Sequence, residues 1–201
     1  MEDLMPDLIE RLDRWLRENR SDCYSQLLPG LTDEKVIEFE EALGVNLPPD
    51  FKLFYKWKNG QASGNYDSFI FNLTLMPAHE VLEAVQIGKE LLECGDFDRE
   101  NWWSPKWIPF LSNGGGNYYC IDLQGAFSGK VGQILEFIHD DSLRPLVHQS
   151  FLMWLQTTVK AFESGLFEYD EGYGMQARDW NTYCAFHTEN NPGYPVNYEA
   201  G

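Results

Sequence analysis

Apolar residues fall at helical spacing from the start of the chain. Leu4, Leu8, Leu12, Trp15 and Leu16 share one face, with acids early and Arg14, Arg17 and Arg20 late. That charge order complements the helix dipole, so the pattern predicts an amphipathic helix over 4–19. Pro6 falls in its first turn, where a missing N–H costs little. After a linker at 20–30, Thr32 is placed to cap a second helix with the stripe Val36, Phe39 and Leu43, closed by Gly44. "VNLPPDF" breaks the chain, and Pro48 and Pro49 open a third helix expected to run to Asn59 and Gly60. Phe51, Phe54 and Tyr55 lie on one side of it, with Leu53 and Trp57 well round the barrel. Trp57 therefore either packs under another element or faces outward.

"SFIFNLTLMP" reads as a strand and "AHEVLEAVQIGKELLE" as a helix with Val81, Val85 and Leu92 on one face. An acidic, tryptophan-bearing loop over 93–106 follows. Three β-rich runs, "WIPFLS", "NYYCIDL" and "VGQILEFI", are then separated by glycine-bearing turns. In the second, Tyr119, Ile121 and Leu123 point one way, and Tyr118, Cys120 and Asp122 the other. The connections are too short for crossover helices, which requires antiparallel pairing. A last long helix is expected over about 146–164, ending at Gly165. Residues 168–201 are rich in Tyr, Asn, Gly and Pro, and read as a tail draped on the domain.

The class is α+β: a single domain with a central, mostly antiparallel or mixed sheet and helices packed against it, preceded by an amphipathic N-terminal helix. The expected divisions are 1–26 for that helix and its linker, 27–167 for the domain, and 168–201 for the tail.

Charge narrows the partners. A formal charge of −17, from 32 acids against 15 bases, is spread along the chain. Such a field repels nucleic acid and anionic membrane and speeds encounter with a basic protein. No apolar run approaches the roughly 18–20 residues of a bilayer span, and the acidic N-terminus is unlike a signal peptide. A soluble, cytoplasmic protein is expected. Cys23, Cys94, Cys120 and Cys184 lie far apart, without the close pairs of zinc knuckles or thiol redox sites.

The candidate chemistry mostly fails on inspection. "FLSNGGGNYYCID" invites a phosphate cradle, but Gly116 is followed by Asn117 and Tyr118 rather than the Lys and Ser/Thr of a Walker loop. A strand follows Gly114, Gly115 and Gly116, so no helix N-terminus is available to hold an anion; a hairpin turn fits instead. "DFDREN", with acids at Asp96, Asp98 and Glu100, imitates a calcium loop. It has Asn101 and Trp107 where glycine and a bidentate acid belong. His139, Asp140 and Asp141 form the one local His–acid cluster, with His148 a possible second histidine in space. Nothing near Cys120 would activate a thiol. No catalytic residue, metal or cofactor is expected.

Two stretches in order resemble a known family. "LTDEKVIEFEEALGVNLPPDFKLFYKWKNGQ" and "WIPFLSNGGGNYYCIDLQGAFSGKVGQILEFIHDD…SFLMWL" are similar to the SUKH superfamily, in particular its Smi/Knr type, named for a fungal regulator of cell-wall glucan synthesis. The matching pieces are Pro48 and Pro49, the helix end at Asn59 and Gly60, and the strand carrying Pro109. The loop Gly114–Gly116, Asp122, and Gly129 with Gly132 and Gln133 complete the set. Gln124 to Phe127 depart from it, where many relatives carry proline. The resemblance implies an α+β binding domain without catalysis. Since the chain lacks the long flanks of fungal members, it points to the bacterial kind, an immunity protein that neutralises a basic polymorphic toxin of nuclease or deaminase type. The alternatives are a regulatory or scaffolding module in cell-wall physiology, or a small-ligand binder using Asp122. The residues expected to meet a protein partner are Trp57, Asp67, Trp102, Trp103, Asp140 and Asp141.

Overall fold

The structure is a computed structural model and describes residues 4–64, 67–97 and 100–201. Asp98 of the calcium-like stretch lies outside the described residues. The first half carries α1 (Leu4–Asn19), α2 (Ser21–Ser25), β1 (Leu27–Pro29), α3 (Asp33–Leu43), α4 (Pro49–Trp57), β2 (Lys58–Gln61), β3 (Thr74–Leu75) and α5 (Ala78–Cys94). The second half carries β4 (Trp107–Ser112), β5 (Tyr118–Asp122), β6 (Gln133–Phe137), β7 (Leu143–His148), α6 (Phe151–Glu163), β8 (Phe167–Asp170), β9 (Gly174–Ala177), α7 (Trp180–Asn190) and β10 (Val196–Glu199).

Among the described residues the main sheet has six strands in the order β10-β7-β6-β5-β4-β3, every pair antiparallel. The predicted α+β class is what the chain adopts. Both faces of the sheet are covered, and the period-two alternation of β5 decides which residue goes where. Ile121 joins Ile108, Phe110 and Ile134 under the helices, where Leu8, Leu12, Phe51, Phe54 and Trp154 close the larger core. Cys120 turns to the opposite face and joins Trp103, Trp107, Leu135, Phe137 and Leu146. Trp154 is nearly inaccessible and meets Phe110 edge-on at 4.8 Å. Burying a side chain of this kind contributes about 1.5–3 kcal/mol.

Local chemistry sets the helix ends. Thr32 accepts a hydrogen bond from the Lys35 N–H, and Gly44 closes α3 at φ 69°, as the sequence predicts. The stripe of α1 is buried at Met5, Leu8, Leu12 and Leu16. Trp15 stacks on Phe162 of α6 at 4.4 Å, and Arg11 pairs with Glu163 at 2.6 Å.

Four segments differ from expectation. Helix α4 stops at Trp57, because Lys58 is already extended and the chain becomes β2, pairing with β1. "SFIFNLTLMP" is not one strand: Ile70 and Leu73 bridge a tight turn with Phe71 at φ 51°, and only Thr74–Leu75 joins the sheet. Residues 146–148 belong to β7, not to the last long helix, since Ser150 is the cap (it accepts from the Met153 N–H at 3.2 Å) and α6 begins at Phe151. Residues 167–199 build a hairpin, a helix and the edge strand β10, which pairs along β7 from Val196 to Glu199.

Candidate functional site

The family-like positions form two clamps. At the first, Asn59 Oδ1 accepts from the Ala78 N–H at 2.9 Å, capping α5 from another element. Gly60 has φ 70° and lies so close to Met76 and Pro77 that a Cβ would come within 2.4 Å of their backbone. Gln61, buried, donates to the Asp67 carbonyl at 2.7 Å and accepts from the Leu75 N–H at 2.8 Å. Asn59→Ala is expected to cost about 1 kcal/mol, the worth of a helix cap, read as a lower midpoint in urea.

The second clamp centres on Asp122, which has no exposed surface. Its Oδ1 accepts from the Gln124 and Gly125 N–H groups at 2.9 and 3.2 Å. Its Oδ2 accepts from the Ala126 N–H at 2.6 Å and from Gln133 Nε2 at 2.8 Å. Gln133 also donates to the Ala126 carbonyl and accepts from the Lys130 N–H. Gly129 lies against it, where a Cβ would fall 2.1 Å from Gln133 Oε1. The glycine loop is likewise occupied with itself. Gly114 and Gly116 have φ 73° and 96°, and Asn113 Oδ1 accepts from the Gly115 and Asn117 N–H groups. Asn117 Oδ1 in turn accepts from the His139 N–H at 3.0 Å. The hairpin predicted here is what forms.

The six residues named for partner binding do not form one surface. Trp57 is half-buried and donates to Asp13 Oδ1 at 2.8 Å, tying α4 to α1. Burial tends to raise the Asp13 carboxyl, but hydrogen bonds from Trp57 and Tyr24 and the charge of Arg17 outweigh it and hold the group below its ordinary range. Asp67 pairs with Arg20 at 2.5 Å. Trp103 is only 6% exposed and is not available to a partner. It sits edge-on to Phe137 at 4.8 Å and covers Gly88 of α5, where a Cβ would meet its ring nitrogen at 2.1 Å.

Trp102 and Asp141 do meet at Arg144, and Asp140 precedes Asp141 in the same turn. That guanidinium is buried, faces the Trp102 ring at 4.7 Å, and donates to the carbonyls of Trp102, Ile138, Asp141 and Leu143. Desolvation lowers its pKa to about 10. Asp140 and Asp141 remain exposed in the turn above it. His139 and His148 are not neighbours: His139 touches Asn117, whereas His148 faces His187 at 4.7 Å. Among the described residues no group of three or more His, Cys, Asp or Glu side chains is placed to hold a metal ion. Burial raises the Cys120 thiol well above its usual range.

A cavity of about 270 Å³ lies between the outer half of the sheet and α7. Its sheet wall is Tyr119, Glu136, Pro145, Val147 and His148; its helix wall is Trp180, Tyr183, Cys184 and His187, and Phe71 closes one side. Tyr119 and Glu136 are register partners across β5 and β6, so both project from the same face. Phe71 lies 6.0 Å from Trp180 and 5.4 Å from Tyr183. Sequence reasoning missed this site by treating 168–201 as a tail. Asp179, which caps α7 through the Thr182 N–H at 2.8 Å, and the spacing of Trp180, Tyr183 and His187 were the available signals.

An antiparallel sheet carried by the Asn59 and Asp122 clamps, with helices over one face, defines an α+β domain. Residues 30–157 match the model of the SMI1 / KNR4 family (SUKH-1), and the chain belongs to that family. It is 25% identical to the "Cell wall biosynthesis/cell cycle regulator smi1" of Schizosaccharomyces pombe, over 85% of this chain and 40% of the relative. It is 24% identical to a "Glucan synthesis regulatory protein" of Neurospora crassa, over 81% of this chain and 39% of the relative. A "KNR4/SMI1 homolog" of Yarrowia lipolytica is 23% identical over 80% and 31%. The chain thus spans about two-fifths or less of the length of these curated relatives.

Proposed function

We propose that this chain is a non-catalytic protein-binding module acting in the regulation of cell-wall polysaccharide synthesis. The observation that carries the reading is the likeness, over more than four-fifths of the chain, to fungal proteins named as regulators of cell-wall biosynthesis and of glucan synthesis. The −17 charge favours a basic partner by steering encounter. The polar groups that catalysis would need are used structurally: the Asp122 carboxylate is filled by four donors and the Cys120 thiol is buried. Trp102 and Asp141, joined through Arg144, are with the neighbouring Asp140 one contact surface this reading assigns to a partner. No helix of the described residues is long and apolar enough to cross a membrane, and the reading places the chain in the cytoplasm.

Disrupting the gene should change growth in the presence of a glucan-synthesis inhibitor, and the tagged chain should retain a basic protein detected by native mass spectrometry. Unchanged sensitivity together with an empty capture would reject the regulatory reading. The same acidity also favours a second reading, neutralisation of a basic toxin. That reading expects the chain to rescue cells expressing a toxin domain encoded beside it.

A further inference from the structure

The cavity under α7 combines features that neither clamp explains. Four aromatic side chains, Tyr119, Phe71, Trp180 and Tyr183, line it, and most of the remaining wall is aliphatic or imidazole. The Glu136 carboxylate also lines it and has no hydrogen-bond or ion-pair partner among the described residues. A carboxylate is seldom left half-buried without a partner, because withdrawing it from water is costly. Neighbouring groups on the opposing element do not supply a charge: α7 contributes His187, which burial keeps neutral, and β7 contributes His148, likewise neutral. Desolvation raises the Glu136 carboxyl, the direction expected of an anion that lacks its cation.

At the mouth, Trp180 is 60% exposed, and the nearby β8–β9 hairpin presents Tyr169 and Tyr173 at 49% and 77%. An apolar cavity with aromatic walls and one carboxylate on its sheet wall matches an aliphatic stem ending in a positive charge. The stem packs on the rings, the charge is attracted by their faces, and the carboxylate completes the pairing.

We propose that this cavity receives a lysine or arginine side chain of a protein partner, with Glu136 as the counter-ion and Trp180, Tyr183, Tyr119 and Phe71 as the walls. The identity of the carrier as a protein rests on the protein-binding reading above, and the chain's −17 charge favours a basic one. The recognition chemistry itself can be tested without that partner.

The full chain is titrated with N-acetyl-lysine methylamide and N-acetyl-arginine methylamide, and with their uncharged counterparts made from norleucine and citrulline. Binding is followed by the indole NMR signal of Trp180. Saturable shifts are expected for the cationic probes, with the neutral ones weaker by about tenfold or more. Glu136→Gln should remove that charge preference while leaving the thermal midpoint unchanged or raised, since the desolvated carboxylate is gone. Trp180→Ala, at an exposed position, should weaken all four probes together. Equal binding of norleucine and lysine probes would overturn the proposal in favour of a plain apolar pocket. Absence of saturable binding, or an unaltered preference in Glu136→Gln, would also overturn it. Probe binding with no partner retained in cells would instead count against the protein-binding reading and leave the pocket chemistry standing.

Discussion

Replacing Asp122 by alanine is expected to lower the unfolding free energy by about 4 kcal/mol, near the upper end for a single substitution. The carboxylate is inaccessible and accepts from three main-chain N–H groups and the Gln133 amide, at 2.6–3.2 Å. Hydrogen bonds to a charged group contribute about 1.5–3 kcal/mol each, and a donor left buried without a partner costs about 1–3 kcal/mol. These terms are not additive, because the loop 123–132 can open and let water reach some of the donors. Urea denaturation should show the loss as a lower midpoint at similar slope. Asp122→Asn should fall between alanine and wild type, since its amide keeps the shape but opposes N–H donors with an NH₂ group. Asp140→Ala is the contrasting control. That carboxylate is exposed in the β6–β7 turn, and its loss should stay within about 0.5 kcal/mol.

At the Asp122 clamp the family-like residues are partnered with one another and with the loop they close. Gly129 is placed where any side chain would collide with Gln133, and Gln133 is placed by Asp122. The three positions therefore have to be kept together to close one loop. Asn59, Gly60 and Gln61 do the same between β2 and the start of α5. The Arg144 turn and the cavity beneath α7 draw on none of these clamp residues.

Where short-range chemistry decides, the sequence is legible. Thr32 and Gly44 bound α3 because a cap and a left-handed residue act within one turn. The alternation of β5 sorts Ile121 and Cys120 to opposite cores because the strand has a period of two. Where a distant segment decides, it is not. Residues 146–148 carry an apolar pattern that suits a helix, and only pairing with β6 and β10 makes them strand. Trp103 stands in an acidic loop that looks exposed, yet it is buried because Gly88 leaves room for it fifteen residues earlier on α5. The cavity is the extreme case: its walls come from β5, β6, β7, α7 and the turn at Phe71, so no local pattern announces it.

Acidification between pH 7 and 5 should destabilise the fold by about 2 kcal/mol, and the imidazole pair at the end of that cavity is the cause. His148 and His187 are 4% and 8% exposed with ring centroids 4.7 Å apart. Asn191 fixes them from one side, donating to the Val147 carbonyl at 2.6 Å and lying 3.3 Å from His187 Nε2. Burial, reinforced by His187 and opposed by Asn191, pushes His148 down to about 3. Burial also lowers His187. In the unfolded chain both titrate near 6.5. Since the folded values lie below the unfolded ones, the unfolded state binds more protons, and stability is fully present above about pH 6.5 and falls as pH drops toward the folded values. The slope for His148 alone approaches about 1.4 kcal/mol per pH unit. Depressed carboxyls such as Asp13 and Glu163 have the same sign but act below about pH 4.5, and Glu136, being raised, acts in the opposite sense. The interval from pH 7 to 5 therefore leaves out the depressed carboxyls, and within it Glu136 can only offset part of the loss that the histidines cause. Urea midpoints measured across it should decline for the wild type and flatten for His148→Gln. A midpoint independent of pH there would mean that the pair accepts protons while folded, with α7 moving off the sheet to let water in.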